Sequence, residues 1–466
     1  MNGASPSLRR TLVAGFATLL LAVAAYPESP NMTDSRLTLD EAVRIALAEH
    51  PGISIASANE RIASTRVREA RSAWLPDLEA SESVTRGNNP VFVFGSLLEQ
   101  GRFGPSNFDP QFLNNPPSLQ NYRTALSLRY PLFDQWRRVD ASRQATLGVS
   151  IATTETSAAR QRVTLDVLRA FYGAILAEEE KQSAEEAVRS AQADTKRIQD
   201  RVDAGLLVLS DLLAAKVQLA AFQQRDIGAA GDLAIARRAL AIAIGRPHER
   251  FEPAGSLADI NFPLGDLDEL LASGTTSRSD VRTADFEERI AASQRHSANA
   301  ALLPRLDAFA SWGSSGQSFS EHNTDHTAGV TATWRLPSLA VIGERARALE
   351  VMKVAAARKE EATSAAELEI ASAWEHARAA EGRTTIAART IAQAEEALRI
   401  VRDRYEQGLT PITEVLRAQS SLVEARLLNL HAIYDHYIAY AQLLQATGAL
   451  DSVQPFQAND PSGVHP

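Results

Sequence analysis

Two stretches of this chain, residues 135–201 and 340–404, each run for sixty-odd residues without a proline. At about 1.5 Å per residue, each makes a helical rod on the order of 100 Å. A compact domain cannot hold such a rod. Near the end of each one the apolar residues recur at alternating spacings of three and four. They are Val188, Ala191, Thr195, Ile198 and Val202 in the first, and Ile391, Ala394, Leu398, Val401 and Tyr405 in the second. That heptad spacing calls for packing against another helix. The partner follows in sequence. Asp203-Ala204-Gly205-Leu206 and Glu406-Gln407-Gly408-Leu409 supply glycines able to take the left-handed backbone that ends a helix. Return helices begin near Ser210 and Thr413 and stop at Gly245-Arg246-Pro247 and Gly448. The spacing predicts two long helical hairpins, 135–245 and 340–448.

The hairpins belong to a larger duplication, found by looking for self-similarity before assigning elements. Leu39–Ala80 aligns without gaps on Leu267–Ala308, with LDE at 39–41 and 267–269 and ERIA at 60–63 and 288–291. Later, DRVDAGLLVLSDLL lies opposite DRYEQGLTPITEVL. Between these blocks the period drops to two: Leu126, Leu128, Tyr130 and Leu132 alternate with polar residues, as do Val330, Ala332, Trp334 and Leu336. Such alternation predicts strands with one apolar and one polar face, their partners lying in 78–94 and 306–320. A loop at 95–120 rich in Asn, Pro, Gly and Phe joins the first pair, and a polar turn near 321–325 joins the second.

The expected organisation is therefore a first repeat at 26–247 (helix broken at His50-Pro51-Gly52, strand pair 76–133, hairpin 135–245), a linker at 248–265, and a second repeat at 266–450 (strand pair 304–337, hairpin 340–448). A polar tail at 451–466 with three prolines is expected to be disordered. Residues 1–25 read as a cleaved export signal: Arg9 and Arg10, an apolar run from Thr11 to Ala25, and Ala22-Val23-Ala24 as the recognition site. The run is shorter than the roughly 20 residues that span a bilayer.

Composition excludes several classes. With 45% hydrophobic and 23% charged residues the chain is expected to fold, and 6% aromatics suits packed helices. The net charge of −9 and the lack of a basic tract argue against nucleic acid. The absence of cysteine removes disulfides, thiolate metal sites and lipidation on an N-terminal cysteine. No HExxH, GxSxG or Walker loop is present, so no catalytic residue, cofactor or metal ligand is assigned. Gly313-Ser314-Ser315-Gly316 lacks the lysine of a phosphate loop. Glu321-His322 with Asp325-His326 reads as an exposed turn, and Glu178-Glu179-Glu180 as a solvated helix face.

Four amphipathic strands on an exported chain pose a specific problem. In lipid an open sheet leaves edge backbone groups unsatisfied at several kcal/mol each, so it must close. Outer-membrane barrels have eight or more strands, and one chain supplies four. Closure then needs several copies, with the hairpins extending the tube. The rival reading is an exported periplasmic coiled-coil adaptor or scaffold, which leaves the duplicated strands and the interfacial Tyr130 and Trp334 without a purpose.

On the duplication, the strand pairs and the turns Gly205–Leu212 and Tyr405–Leu416, the chain resembles the TolC family of outer-membrane efflux proteins over nearly its whole mature length. The resemblance implies a mainly α fold with a transmembrane β-barrel part, assembled as a TolC-like trimeric α/β-barrel. It implies a homotrimer in the Gram-negative outer membrane with its helical stem in the periplasm. It further implies passive conduction for a tripartite efflux or type I secretion system, through a periplasmic adaptor and an inner-membrane pump. By position it makes Asp211 and Tyr405 links of a periplasmic gate and Glu414 a pore-ring acid. The basic residue expected after the second turn is Thr410, and a second ring acid falls at Arg417, so Arg404 or Arg417 is the alternative link. Gly205, Leu206, Gly408 and Leu409 become adaptor-contacting tips.

Overall fold

The structure, a computed structural model, describes residues 36–320, 322–336, 338–450 and 453–456. The expected export signal at 1–25 lies outside the described residues. In order the elements are β1 (Arg36–Leu37), α1 (Leu39–Glu49), α2 (Pro51–Ser72), β2 (Asp77–Gly87), α3 (Pro90–Glu99), a 3-10 turn (Pro105–Phe108), α4 (Pro110–Asn114), β3 (Leu119–Phe133), α5 (Arg137–Asp203) and α6 (Leu209–Ile244). Then come β4 (Glu252–Pro253), α7 (Leu267–Ser277), α8 (Ser279–Ala300), β5 (Arg305–Gly316), β6 (His322–Thr333), α9 (Leu339–Glu406) and α10 (Ile412–Ala446).

The pattern helix pair, strand, strand, long helix, return helix thus occurs twice. Thr38 and Glu41 form a reciprocal capping box at the start of α1. His50 then divides α1 from α2: Pro51 cannot continue the helix behind it, and the His50 Nδ1 accepts from the Gly52 N–H at 3.1 Å. In the second repeat Arg278 stands at the same break between α7 and α8.

Helices α5 and α9 are continuous over 67 and 68 residues. Beside the strands, the helices lie in the order α2, α5, α8, α9; beyond them the order is α6, α5, α10, α9. The two long helices therefore run through both layers.

Where the layers meet, an aromatic core forms. Phe262 stacks on Tyr440 with centroids 4.5 Å apart and planes at 10°, and Tyr437, His436 and Phe456 close around it. Phe251, Leu257 and Phe262 come from the stretch expected to be a linker, and Val453 and Phe456 from the tail expected to be disordered. Residues 453–456 correct that expectation: the Phe456 ring is buried, and its carbonyl accepts from the Tyr172 hydroxyl at 3.0 Å. Gly245 ends α6 at φ +92° against α1, where a Cβ would come within 3.0 Å of the His50 Cα.

The four longer strands form one antiparallel sheet in the order β2-β3-β5-β6. Several strand boundaries differ from expectation, among them the end of β5, which stops at Gly316 rather than running to 320. β2 ends at Gly87 rather than running to 94, because Asn89 caps α3 with Pro90 in its first turn. The loop read at 95–120 carries the end of α3, the 3-10 turn, α4 and the start of β3. β6 begins at His322, so the turn read at 321–325 lies earlier, and it ends at Thr333, leaving Trp334 and Leu336 beyond the strand.

Candidate functional site

Strand pairing sorts the sheet into two faces. Leu78, Ala80 and Val84 of β2, Leu126, Leu128 and Tyr130 of β3, Ala308, Ala310 and Trp312 of β5, and Ala328, Val330 and Ala332 of β6 share one side. The opposite side carries Glu79, Ser127, Arg129, Arg305, Asp307, Ser311, Thr327 and Thr331. Leu78 and Val330 are 62% and 64% exposed, so the apolar face is uncovered in the single chain. Glu82 also lies on it, and its carboxylate accepts from the Thr124 hydroxyl opposite.

Aromatic rings flank this apolar band. Tyr122 packs on Phe319 at the end far from the helices. Tyr130, Phe133, Trp136 and Trp334 stand at the helical end. The eight residue steps from Tyr122 to Tyr130 cover about 26 Å along a strand, or ~20 Å of height at a tilt near 40°. This approaches the roughly 25 Å apolar band of outer-membrane barrels. Among the described residues, no helix is long and apolar enough to cross a membrane.

The passage from β3 to α5 is tightly held. Gln135 and Trp136 take φ of 62° and 64°, turning the chain sharply. Arg138 pairs with Asp134 at 3.0 Å, donates to the Pro131 carbonyl at 2.7 Å, and lies 4.5 Å over the Trp74 ring.

At the other end of the rods the two hairpin turns are built alike. Gly205 and Gly408 have φ of +75° and +73°. The Leu206 N–H donates to the Arg201 carbonyl at 2.8 Å and the Leu409 N–H to the Arg404 carbonyl at 2.9 Å, the bonds of a Schellman motif. Leu206 and Leu409 are 72% and 69% exposed. Behind the turns, Ile198 and Leu212 of the first hairpin pack on Ile412, Val415 and Leu416 of the second. Polar links cross the same seam: Gln419 Nε2 donates to Asp194 Oδ2 at 2.6 Å, and Gln218 Nε2 donates to Ser420 Oγ at 2.5 Å.

The residues singled out at this end separate into two groups. Tyr405 sits at a cavity of about 70 Å³ lined by Asp194, Arg197, Arg201, Val415 and Gln419. Its hydroxyl is enclosed without a partner in bonding geometry. Burial raises its pKa, the Arg201 charge pulls it back, and Asp211 pushes it up again. Asp211 and Tyr405 are thus electrostatic neighbours with no hydrogen bond between them. Glu414 pairs with Arg417 at 3.0 Å along α10, so Arg417 is engaged within its own helix instead of reaching across the seam. Arg201, Asp194 and Gln419 were not singled out by sequence; they meet only when residues more than two hundred apart are packed together.

Other candidates resolve plainly. His322, Asp325 and His326 stand in β6, where alternation sends His326 and Asp325 to opposite faces. Among the described residues no cluster suits a metal. The 178–180 carboxylates are partnered, not merely solvated. Glu178 faces Arg237, Glu179 accepts from the Leu257 N–H at 3.0 Å, and Glu180 pairs with His431.

A profile of the outer membrane efflux protein family matches residues 42–246 and 271–449, well over half of the chain and in two segments that follow the duplication. The chain belongs to the outer membrane efflux protein family. No curated protein matches it by sequence. Among solved structures it is similar to the Campylobacter jejuni CmeC outer membrane channel at 17% identity and TM-score 0.75, covering 88% of this chain and 85% of that one. It is similar to VceC of Vibrio cholerae at 20% identity and TM-score 0.74, covering 88% and 96%. The open-state MtrE channel of Neisseria gonorrhoeae gives 20% identity and TM-score 0.73, covering 88% and 89%. These likenesses carry the fold: TolC-like, mostly helical, with an antiparallel sheet. Family membership makes the chain an outer-membrane efflux channel and sets aside the soluble scaffold. The family is one of channels, not of enzymes.

Proposed function

We propose that three copies of this chain close into one conduit across the outer membrane. The observation that carries this reading is the four-stranded sheet with one apolar face, one polar face and two unpaired edges, β2 and β6. Pairing β6 of one copy with β2 of the next satisfies both edges. Twelve strands then surround a polar bore, with the Leu126 and Trp312 face toward lipid.

The helices support the same arrangement. α6 exposes Val217, Ile227 and Ile235, and α9 exposes Leu368 and Ile386. These helices end their layers, so their apolar residues are ready to meet neighbouring copies. The assembled hairpins form a periplasmic stem.

Conduction is passive. Substrate is received at the hairpin tips from a periplasmic adaptor and an inner-membrane pump, in efflux or type I secretion, and leaves through the barrel. The exposed Leu206 and Leu409 suit a helical partner that buries apolar side chains at the tips. Asp211 and Tyr405, with the Gln419–Asp194 and Gln218–Ser420 links, hold the inner end closed, and Glu414 faces the axis there. Export uses the signal at 1–25, and without cysteine no lipid anchor is attached on one. Purified protein in planar bilayers tests the reading. Stepwise conductance, in the parent or after Asp211→Ala with Tyr405→Ala, supports it; protein that inserts without any conductance in both overturns it.

A further inference from the structure

The segment between β2 and β3 is folded and clamped to the sheet, and the side it occupies is informative. Glu99, at the end of α3, meets Arg123 at 3.1 Å and accepts from the Ser315 hydroxyl at 3.3 Å and the Asn121 amide at 3.4 Å. Arg123 in turn pairs with Asp325 at 3.2 Å. Buried Gln100 donates to Asn121 Oδ1 at 2.9 Å and to the Gln120 carbonyl at 3.0 Å, and Asn323 Nδ2 donates to the Glu99 carbonyl at 3.0 Å.

Arg123, Ser315 and Asp325 share the polar face, opposite Leu126 and Trp312, at the strand ends far from α5 and α9. Gly313 keeps this place open: a Cβ there would come within 2.8 Å of both the Arg123 and Asp325 side chains. Helix α3 buries Val93 and Leu97, while Val91, Phe94 and Leu98 form a stripe turned away from the strands at helical spacing. Phe94, Phe103 and Phe108 stack edge to face behind it, at 4.6 and 5.1 Å.

We propose that residues 90–115 form a fixed sieve inside the outer mouth of the channel, restricting its cargo to small solutes and excluding polypeptides. The inference rests on the trimeric barrel proposed above. A barrel of twelve strands about 4.8 Å apart, tilted by ~40°, has a backbone diameter of about 24 Å. Segments each containing a helix about 10 Å across are clamped to the polar-face ends of its strands, one per copy, and take up most of a bore this wide. The Val91, Phe94 and Leu98 side chains, exposed in the single chain, would then give the remaining gaps apolar walls. Each clamp has an ion-pair chain and several hydrogen bonds across β3, β5 and β6, which makes the segment a fixture of the barrel.

The absence of native cysteine makes the test direct. Single cysteines are placed at Ser311, on the polar face below the clamp, and at Ala328, on the apolar face. Intact cells are treated from outside with a small sulfonated maleimide and with a 1-kDa polyethylene glycol maleimide, whose coil a barrel without the segment would admit. In the parent, Ser311→Cys is labelled by the small reagent at least about tenfold faster than by the large one, the factor that ~1.4 kcal/mol of barrier gives. Bridging out 90–115 with a short glycine turn, and separately Glu99→Gln with Gln100→Ala, brings that ratio toward unity. Equal entry of both reagents in the parent, or a ratio unmoved in both variants, overturns the sieve. A Ser311→Cys inert to the small reagent while Ala328→Cys reacts would instead overturn the channel reading beneath it.

Discussion

Replacing Gln419 with leucine isolates the seam between the hairpins. Gln419 is 8% exposed. Its amide N–H makes the 2.6 Å bond to the Asp194 carboxylate, while its carbonyl is buried without a partner. A hydrogen bond to a charged group contributes about 1.5–3 kcal/mol, and an unpaired buried polar atom costs about 1–3 kcal/mol. Gln419→Leu removes both, and Asp194 keeps its ion pair with Arg197. Folding stability is therefore expected to change little. The link between α5 and α10 is nevertheless lost. If opening breaks this bond while the Gln419 side chain stays buried, losing ~2 kcal/mol shifts the closed-to-open equilibrium by about 30-fold per copy. Single-channel recording in planar bilayers reads the open fraction, and thermal melting reads the fold. The expected result is a markedly higher open fraction with melting close to the parent's. An unchanged open fraction would refute the latch, and a collapse in melting would refute the compensation.

Other consequences follow from the same geometry. Replacing Asp211 and Tyr405 together with alanine is expected to raise single-channel conductance, and unchanged conductance removes both from the gate. Phe262→Ala empties the aromatic core between Tyr440 and Phe456 and is expected to cost about 3–5 kcal/mol, read as a lower denaturation midpoint. His436 is buried beside Phe262, and burial lowers its pKa below the ordinary 6.5 despite Glu381 and Asp259. The unfolded chain takes up this proton first as pH falls, so its contribution is full above about 6.5 and declines from there toward the lower folded pKa. His436→Phe is expected to flatten the dependence of melting on pH in that window, and an unaltered slope would contradict it.

The parts of this fold legible in the sequence are those governed by local period. The heptad run from Val188 to Val202, the turn glycines and the alternation from Leu126 to Leu132 each express a repeat that backbone geometry imposes. The matching of two repeats fixed their order. What was not legible depends on neighbours distant in sequence. Asp194 and Gln419 carry no pattern until α5 and α10 are side by side. Val453 and Phe456, in a proline-containing polar tail, gain their place from a distant core that includes the Phe262, Tyr437 and Tyr440 rings. The short helices between β2 and β3 did leave a signal: Asn89-Pro90 and Asp109-Pro110 are each a capping side chain followed by a first-turn proline. Their surroundings of Gly, Asn and Pro masked it as loop. β2 was hard to bound because its polar side chains blur the alternation.

The central claim is that several copies of this chain close one barrel in the outer membrane. The detergent-corrected mass of protein extracted from the outer-membrane fraction tests it most directly. The account predicts a mass of three chains, recovered only with detergent. A water-soluble single chain from the periplasm would contradict it.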